Sequence, residues 1–147
     1  MLIEGKDTIK ADQATVWEFL TDADSVGKCT PGLESMEIIE PNKKFRALGA
    51  LGLGTVKVKF NTTIEWTELE EPSHAKMKMH GTAPGSSIDV TSEVDLAETA
   101  EGTTELSWKA DVRVVGTIAS LASRLMKPVT AKMTGQFFSC VKKRIET

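Results

Sequence analysis

At 147 residues, 40% hydrophobic and 27% charged, the chain can bury a sizeable core and is too apolar to be disordered. It contains no run of about 18 apolar residues, which excludes a transmembrane helix. A net charge of −3 disfavours nucleic acid as a partner, because only a local patch would offset phosphate repulsion. The N-terminus is charged from Glu4 on and has no apolar signal core, so export is not expected. Two cysteines, Cys29 and Cys140, are too few for a framework of bridges. Separate reduced thiols, buried as small hydrophobes in a cytoplasm, are the expectation. No repeat, linker or low-complexity tract divides the chain, so one domain over 1–147 is expected.

In chain order, residues 2–10 read as a first strand, with Ile3, Asp7 and Ile9 on one face. Asp12 is placed to cap a short helix from Gln13 to Leu20, with Val16, Trp17 and Leu20 on a shared face. Asp22 and Asp24 offer a cap for a second short helix, which Thr30-Pro31-Gly32 ends. Period-two alternation then takes over. Met36 and Ile38 open it, followed by Phe45, Ala47, Leu51 and Leu53 on the next strand. Gly54-Thr55 is a hairpin turn. Val56, Val58, Phe60, Ile64 and Trp66 oppose Lys57, Lys59, Thr63 and Glu65 on the clearest strand. Glu71-Pro72, Pro84-Gly85 and Glu101-Gly102 break the chain into three more strands. These carry Ala75, Met77 and Met79, then Ile88, Val90, Val94 and Leu96, then Leu106, Trp108, Ala110, Val112 and Val114.

The last segment changes period. Ile118, Leu121, Ala122, Leu125, Met126, Val129, Met133, Phe137 and Cys140 recur every three or four residues, the spacing of one helix face. Strand, two small helices, six strands and a long helix define an α+β chain. Short turns make the sheet an antiparallel meander, and its alternation calls for a cover on one face only. The helix is that cover. This is the helix-grip arrangement: a curved seven-stranded sheet wrapped round a C-terminal helix, with space between them.

Two stretches narrow the reading. Cys29-Thr30-Pro31-Gly32-Leu33-Glu34-Ser35-Met36-Glu37 resembles the C-x-P-G-x-E-S-[LM]-E segment of the G-subunit family of carbon monoxide dehydrogenase. Ser123-Arg124-Leu125, Ala131-Lys132-Met133 and Gln136-Phe137-Phe138 resemble that family's S-R-L…A-x-x-M…Q-F-F helix. The family lies in the START-like (Bet v 1-like) superfamily. The resemblance implies an apolar, lipid- or quinone-like ligand and company with molybdenum-containing hydroxylases of the carbon monoxide dehydrogenase type. Two roles are implied: carrying an apolar electron acceptor, or recruiting and maturing that enzyme at the inner face of the membrane.

The expected ligand-binding set is Phe60, Trp66, Met77, Met79 and Trp108 from the strands, with Leu121, Leu125, Met126, Val129, Met133, Gln136 and Phe137 from the helix. Apolar clefts are the usual binding sites of domains, and methionines adapt to varied ligand shapes. Gln136 projects close to Val129 at the centre of the apolar face. It would orient a ligand carbonyl or hydroxyl, or bond to a strand backbone. Pro128 removes a helical hydrogen bond, and is read as a bend that follows the sheet or as a hinge. Without a kink, Phe138 points away from the apolar stripe. The apolar, glycine-rich run from Gly49 to Gly54 is a twisted strand edge, a cavity rim, or a tip for membrane or partner contact.

Catalytic chemistry is not expected; the alternative, a small enzyme of the cyclase or hydrolase kind found elsewhere in the superfamily, calls for a buried Asp7 with a hydrogen-bonding partner beside it. No His-x-x-x-His, Cys-x-x-Cys or nucleophile elbow is present, and no metal or cofactor is called for. Asp7 is the one carboxylate on an apolar rail, and no partner for acid–base work can be named.

Overall fold

A computed structural model describes residues 1–53 and 55–146. The predicted Gly54-Thr55 turn and the side chain of Leu53 fall partly or wholly outside them. The elements are β1 (Leu2–Ile9), α1 (Gln13–Thr21), α2 (Ala23–Cys29), β2 (Leu33–Glu40), β3 (Lys44–Leu53), β4 (Val56–Glu70), β5 (His74–Ala83), β6 (Ser86–Ala100), β7 (Thr103–Gly116) and α3 (Ala119–Ile145). The seven strands form one antiparallel sheet in the order β1-β7-β6-β5-β4-β3-β2. β1 and β2 are its two edges, and α1 and α2 carry the chain from one edge to the other.

Local chemistry accounts for most boundaries. The Asp12 carboxylate accepts from the Thr15 N–H at 2.8 Å and caps α1. α2 differs from expectation. Asp22 precedes it without capping its backbone, and its carboxylate instead accepts from Ser25 Oγ at 2.6 Å. Gly85 and Gly102 turn the β5–β6 and β6–β7 hairpins with φ of 71° and 73°, the left-handed region that glycine enters without steric cost.

The core lies at one end of the sheet. Val16, Trp17 and Phe19 of α1 pack with Ile9, Leu96 and Leu106 of the strands and with Phe138 and Val141 of α3. Thr104 is fully buried there, and its hydroxyl donates to the Ala11 carbonyl at 2.8 Å. A buried hydroxyl needs such a partner.

α3 departs from the single apolar stripe. Its buried residues are Ala122 in the first half and Phe138 and Val141 in the second. At about 100° per residue, Ala122 and Phe138 lie roughly 160° apart on a straight helix. Pro128 sits between them. Lacking an N–H, it leaves the Arg124 carbonyl without its helical partner. The inward face swings round the helix across this point. Phe138 is therefore buried, at 8% exposure. Gln136 is exposed on the outer face, a correction to the inward placement expected from Val129.

The cysteines give the second correction. Cys29 and Cys140 form a disulfide rather than two separate thiols. They are 111 positions apart in sequence, but the end of α2 docks on α3 and brings their Cα atoms to 5.4 Å.

Candidate functional site

Between the concave face of the sheet and α3 lie two adjoining apolar chambers. The larger, of about 440 Å³, is lined by Trp66, Ala75, Met77, Val94, Leu106 and Trp108 of the strands, Leu20 and Val26 of α1 and α2, and Phe137 and Phe138 of α3. The smaller, of about 240 Å³, is lined by Ala47, Phe60, Ile64, Ile88 and Val90, with Leu33, Gly49, Ala50 and Leu51 at its rim. Thr30, Pro31, Met79 and Met133 border both chambers and form a waist between them.

The pleat explains the strand side. On β5, Ala75 and Gly81 are buried and Met77 and Met79 half-buried, while Lys76, Lys78 and His80 are exposed. Gly81 lets Ile88 pack directly on the backbone of β5, since a Cβ there would come within 2.8 Å of Ile88 Cγ2. The polar groups at the wall are few and mostly engaged. Thr30 Oγ1 donates to the Val26 carbonyl at 2.7 Å. Glu93, on the border of the larger chamber, holds Lys109 at 2.7 Å.

Of the expected residues, Phe60, Trp66, Met77, Met79, Trp108, Met133 and Phe137 meet on these walls. Leu121, Leu125, Met126 and Val129 line neither chamber, and Gln136 borders only a shallow groove on the outer face of α3. Sequence reasoning missed Thr30, Pro31 and Phe138. Pro128 was the available signal for Phe138, because a kink re-aims everything after it. The glycine-rich end of β3 supplies the rim.

Polar side chains gather on the opposite, convex face. His74 Nδ1 lies 2.6 Å from Asp95 and Nε2 3.1 Å from Glu68. The hydrogen bond to Asp95 raises the His74 pKa above its ordinary 6.5, assisted by the neighbouring Glu68 and Glu70 charges and opposed by burial. Folded His74 thus holds its proton more tightly than the unfolded chain does. Its contribution to stability is complete below about pH 6.5 and is lost as pH rises through the raised folded value. Urea titrations at pH 6 and pH 9 should show a drop in wild-type stability that shrinks in His74→Gln. An equal drop in both proteins would assign the effect elsewhere.

Asp7 is not free for chemistry. Its carboxylate binds Lys142 of α3 at 2.7 Å and accepts from the Thr8 N–H at 2.9 Å, which pins the end of the helix to β1. Among the described residues, no group of three or more His, Cys, Asp or Glu side chains is placed to hold a metal. No helix among them is long and apolar enough to cross a membrane.

A curved antiparallel sheet gripping a C-terminal helix over apolar chambers is the START-like fold. The structure is similar to a START superfamily protein from Mycobacterium smegmatis, with a TM-score of 0.75 at 11% identity over 99% of this chain and 97% of that one. It is also similar to the Zhui aromatase/cyclase from Streptomyces sp. R1128, with a TM-score of 0.69 at 13% identity over 99% and 96% of the two chains. A conserved protein from Geobacillus kaustophilus matches with a TM-score of 0.90 at 26% identity, over 98% of this chain and 94% of that one. No curated protein matches the chain. The family model for the G subunit of carbon monoxide dehydrogenase (CoxG) matches residues 5–146, and the chain belongs to that family.

Proposed function

We propose that the protein binds an apolar small molecule, lipid- or quinone-like, in the two chambers, and serves without catalysis of its own as an accessory to a carbon monoxide dehydrogenase-type molybdenum hydroxylase. The chambers carry this reading: they are walled by aliphatic, aromatic and methionine side chains and adjoin at a waist. Burial of ligand surface, worth about 25 cal/mol per Å², supplies affinity. The methionines at the waist, Met79 and Met133, adapt to ligand shape. Membership of the CoxG family supports the association with the hydroxylase.

Native mass spectrometry of protein purified without detergent, followed by organic extraction, tests the reading. Met133→Trp fills the waist and should lower occupancy by a co-purifying ligand at least tenfold. Unchanged occupancy would move the site elsewhere.

One observation favours a second role, recruitment to the inner face of the membrane. α3 contains six basic residues and no acidic one, in a chain of net charge −3. Arg124, Lys127, Lys132, Lys143 and Arg144 are exposed along it. Each cation close to an anionic bilayer is worth about 1 kcal/mol. Flotation with phosphatidylglycerol vesicles should be lost when Arg124, Lys132 and Lys143 are changed to Glu. Retention by the triple variant would remove this role. The disulfide sets a condition on action in a reducing cytoplasm, where Cys29, only 5% exposed, would have to be shielded from reductant by burial.

A further inference from the structure

Outside the chambers, a second cavity of about 530 Å³ runs between edge strand β1 and α3. Three side chains, Trp108, Thr134 and Phe138, line both this groove and the larger chamber, so a single layer of residues separates the two. Trp108 is half-buried in that layer and stands opposite Gly5 in the β1–β7 register. A Cβ on Gly5 would lie 2.8 Å from the indole Nε1 and 2.9 Å from Cε2 and Cζ2. The indole edge therefore rests on bare backbone, and no side chain at position 5 fixes it there.

The groove is polar where the chamber is not. Met1 and Val112 exchange both backbone hydrogen bonds, at 2.8 and 2.9 Å. The antiparallel alternation then turns the N–H and C=O groups of even-numbered β1 residues away from β7. The Thr8 N–H obeys this, going to the Asp7 carboxylate rather than to β7. Glu4 and Lys6, which line the groove, thus present on its open edge backbone groups that have no partner among the described residues. Of the lining charges, Asp7 is held by Lys142 at 2.7 Å and Lys6 faces Glu105 at 3.7 Å, while Glu4 is exposed and has no ion-pair partner among the described residues. Lys127 lines the groove from α3 and has no ion-pair partner among the described residues. Gly135 keeps the helix wall low, since a Cβ there would meet nothing within 4 Å.

We propose that the groove is a side entrance to the larger chamber, that Trp108 closes it, and that it holds the anionic head of an amphiphile whose apolar body lies inside. This rests on the chamber being a ligand site. A chamber with so few open polar groups cannot solvate a charged head, and a carboxylate on Lys127 stays within reach of water and of a cation.

The test uses N-phenyl-1-naphthylamine, an uncharged apolar fluorophore, as reporter of the chamber, displaced by oleate or by oleyl alcohol. Wild-type protein should prefer oleate by about fivefold, the scale of one partly exposed ion pair. Lys127→Gln should bring the ratio to about one. Gly135→Leu, which walls the groove without lining the chamber, should slow oleate exchange severalfold in stopped-flow measurements. A wild-type ratio of one, a preference retained in Lys127→Gln, or exchange unchanged in Gly135→Leu would overturn the entrance. If the fluorophore does not enter wild-type protein at all, the chamber reading falls and this inference falls with it. Uptake of the fluorophore without head preference overturns the groove alone.

Discussion

Reducing the Cys29–Cys140 bond, or replacing both cysteines by Ser, is expected to destabilise the protein by about 4–5 kcal/mol, the chain-entropy value for a loop of roughly 100 residues. The bond spans 111 positions, so it removes much of the freedom of the unfolded chain. For a chain of this size that corresponds to a fall in melting temperature of roughly 10–20 °C. The effect should also be local. Cys29 immediately precedes Thr30 and Pro31 of the waist, and Cys140 follows Phe137 and Phe138 of the larger chamber within one helical turn. Loss of the bond frees α2 from α3 just where both close over the cavity. Amide exchange should rise first in residues 23–33. Coincident melting curves with and without dithiothreitol, with full reduction verified by mass, would show that the bond contributes nothing.

Gly32→Ala is expected to cost about 2–4 kcal/mol, through left-handed backbone and a steric conflict together. Gly32 has φ of 80°, and a Cβ there would collide with the Ala50 carbonyl oxygen. The crossing is tight from both sides. The Gly32 carbonyl accepts from the Ala50 N–H at 2.9 Å, and a Cβ on Gly49 would lie 3.0 Å from that same carbonyl. Relief would require moving the α2–β2 turn away from β3, which opens the rim of the smaller chamber. Gly52→Ala is the internal control, because nothing lies within 4 Å of the place its methyl group would take. Denaturant midpoints should separate the two variants clearly. A Gly32→Ala protein within about 0.5 kcal/mol of wild type would mean that the crossing is looser than its geometry implies.

The strand half of the site was legible because period two is rigid. Once Met77 and Met79 alternate with Lys76, Lys78 and His80, the pleat assigns each to a face. The turns at Gly85 and Gly102 were legible for a similarly local reason, since each needs a residue that tolerates positive φ. The helix half was less so. A single helical projection carried the apolar face of Ala122 and Val129 straight through to Gln136, whereas the interruption at Pro128 re-aims the second half toward Thr134, Phe138 and Val141. Thr30 and Pro31 reach the waist because α2 docks on α3, and nothing in their own neighbourhood encodes that. The disulfide is invisible for the same reason: a separation of 111 positions carries no distance information until the fold is closed.

The waist also bears on how the proposed site would measure a ligand. Met79, Met133, Thr30 and Pro31 divide the space into compartments of about 440 and 240 Å³ rather than one smooth trough. In a homologous series of guests, each added methylene should count normally until the first compartment is full. The next must push the Met79 and Met133 side chains aside before it gains anything, and those beyond it count again. Affinity plotted against chain length would then rise, stall and rise once more, so the cavity acts as a ruler with a single graduation.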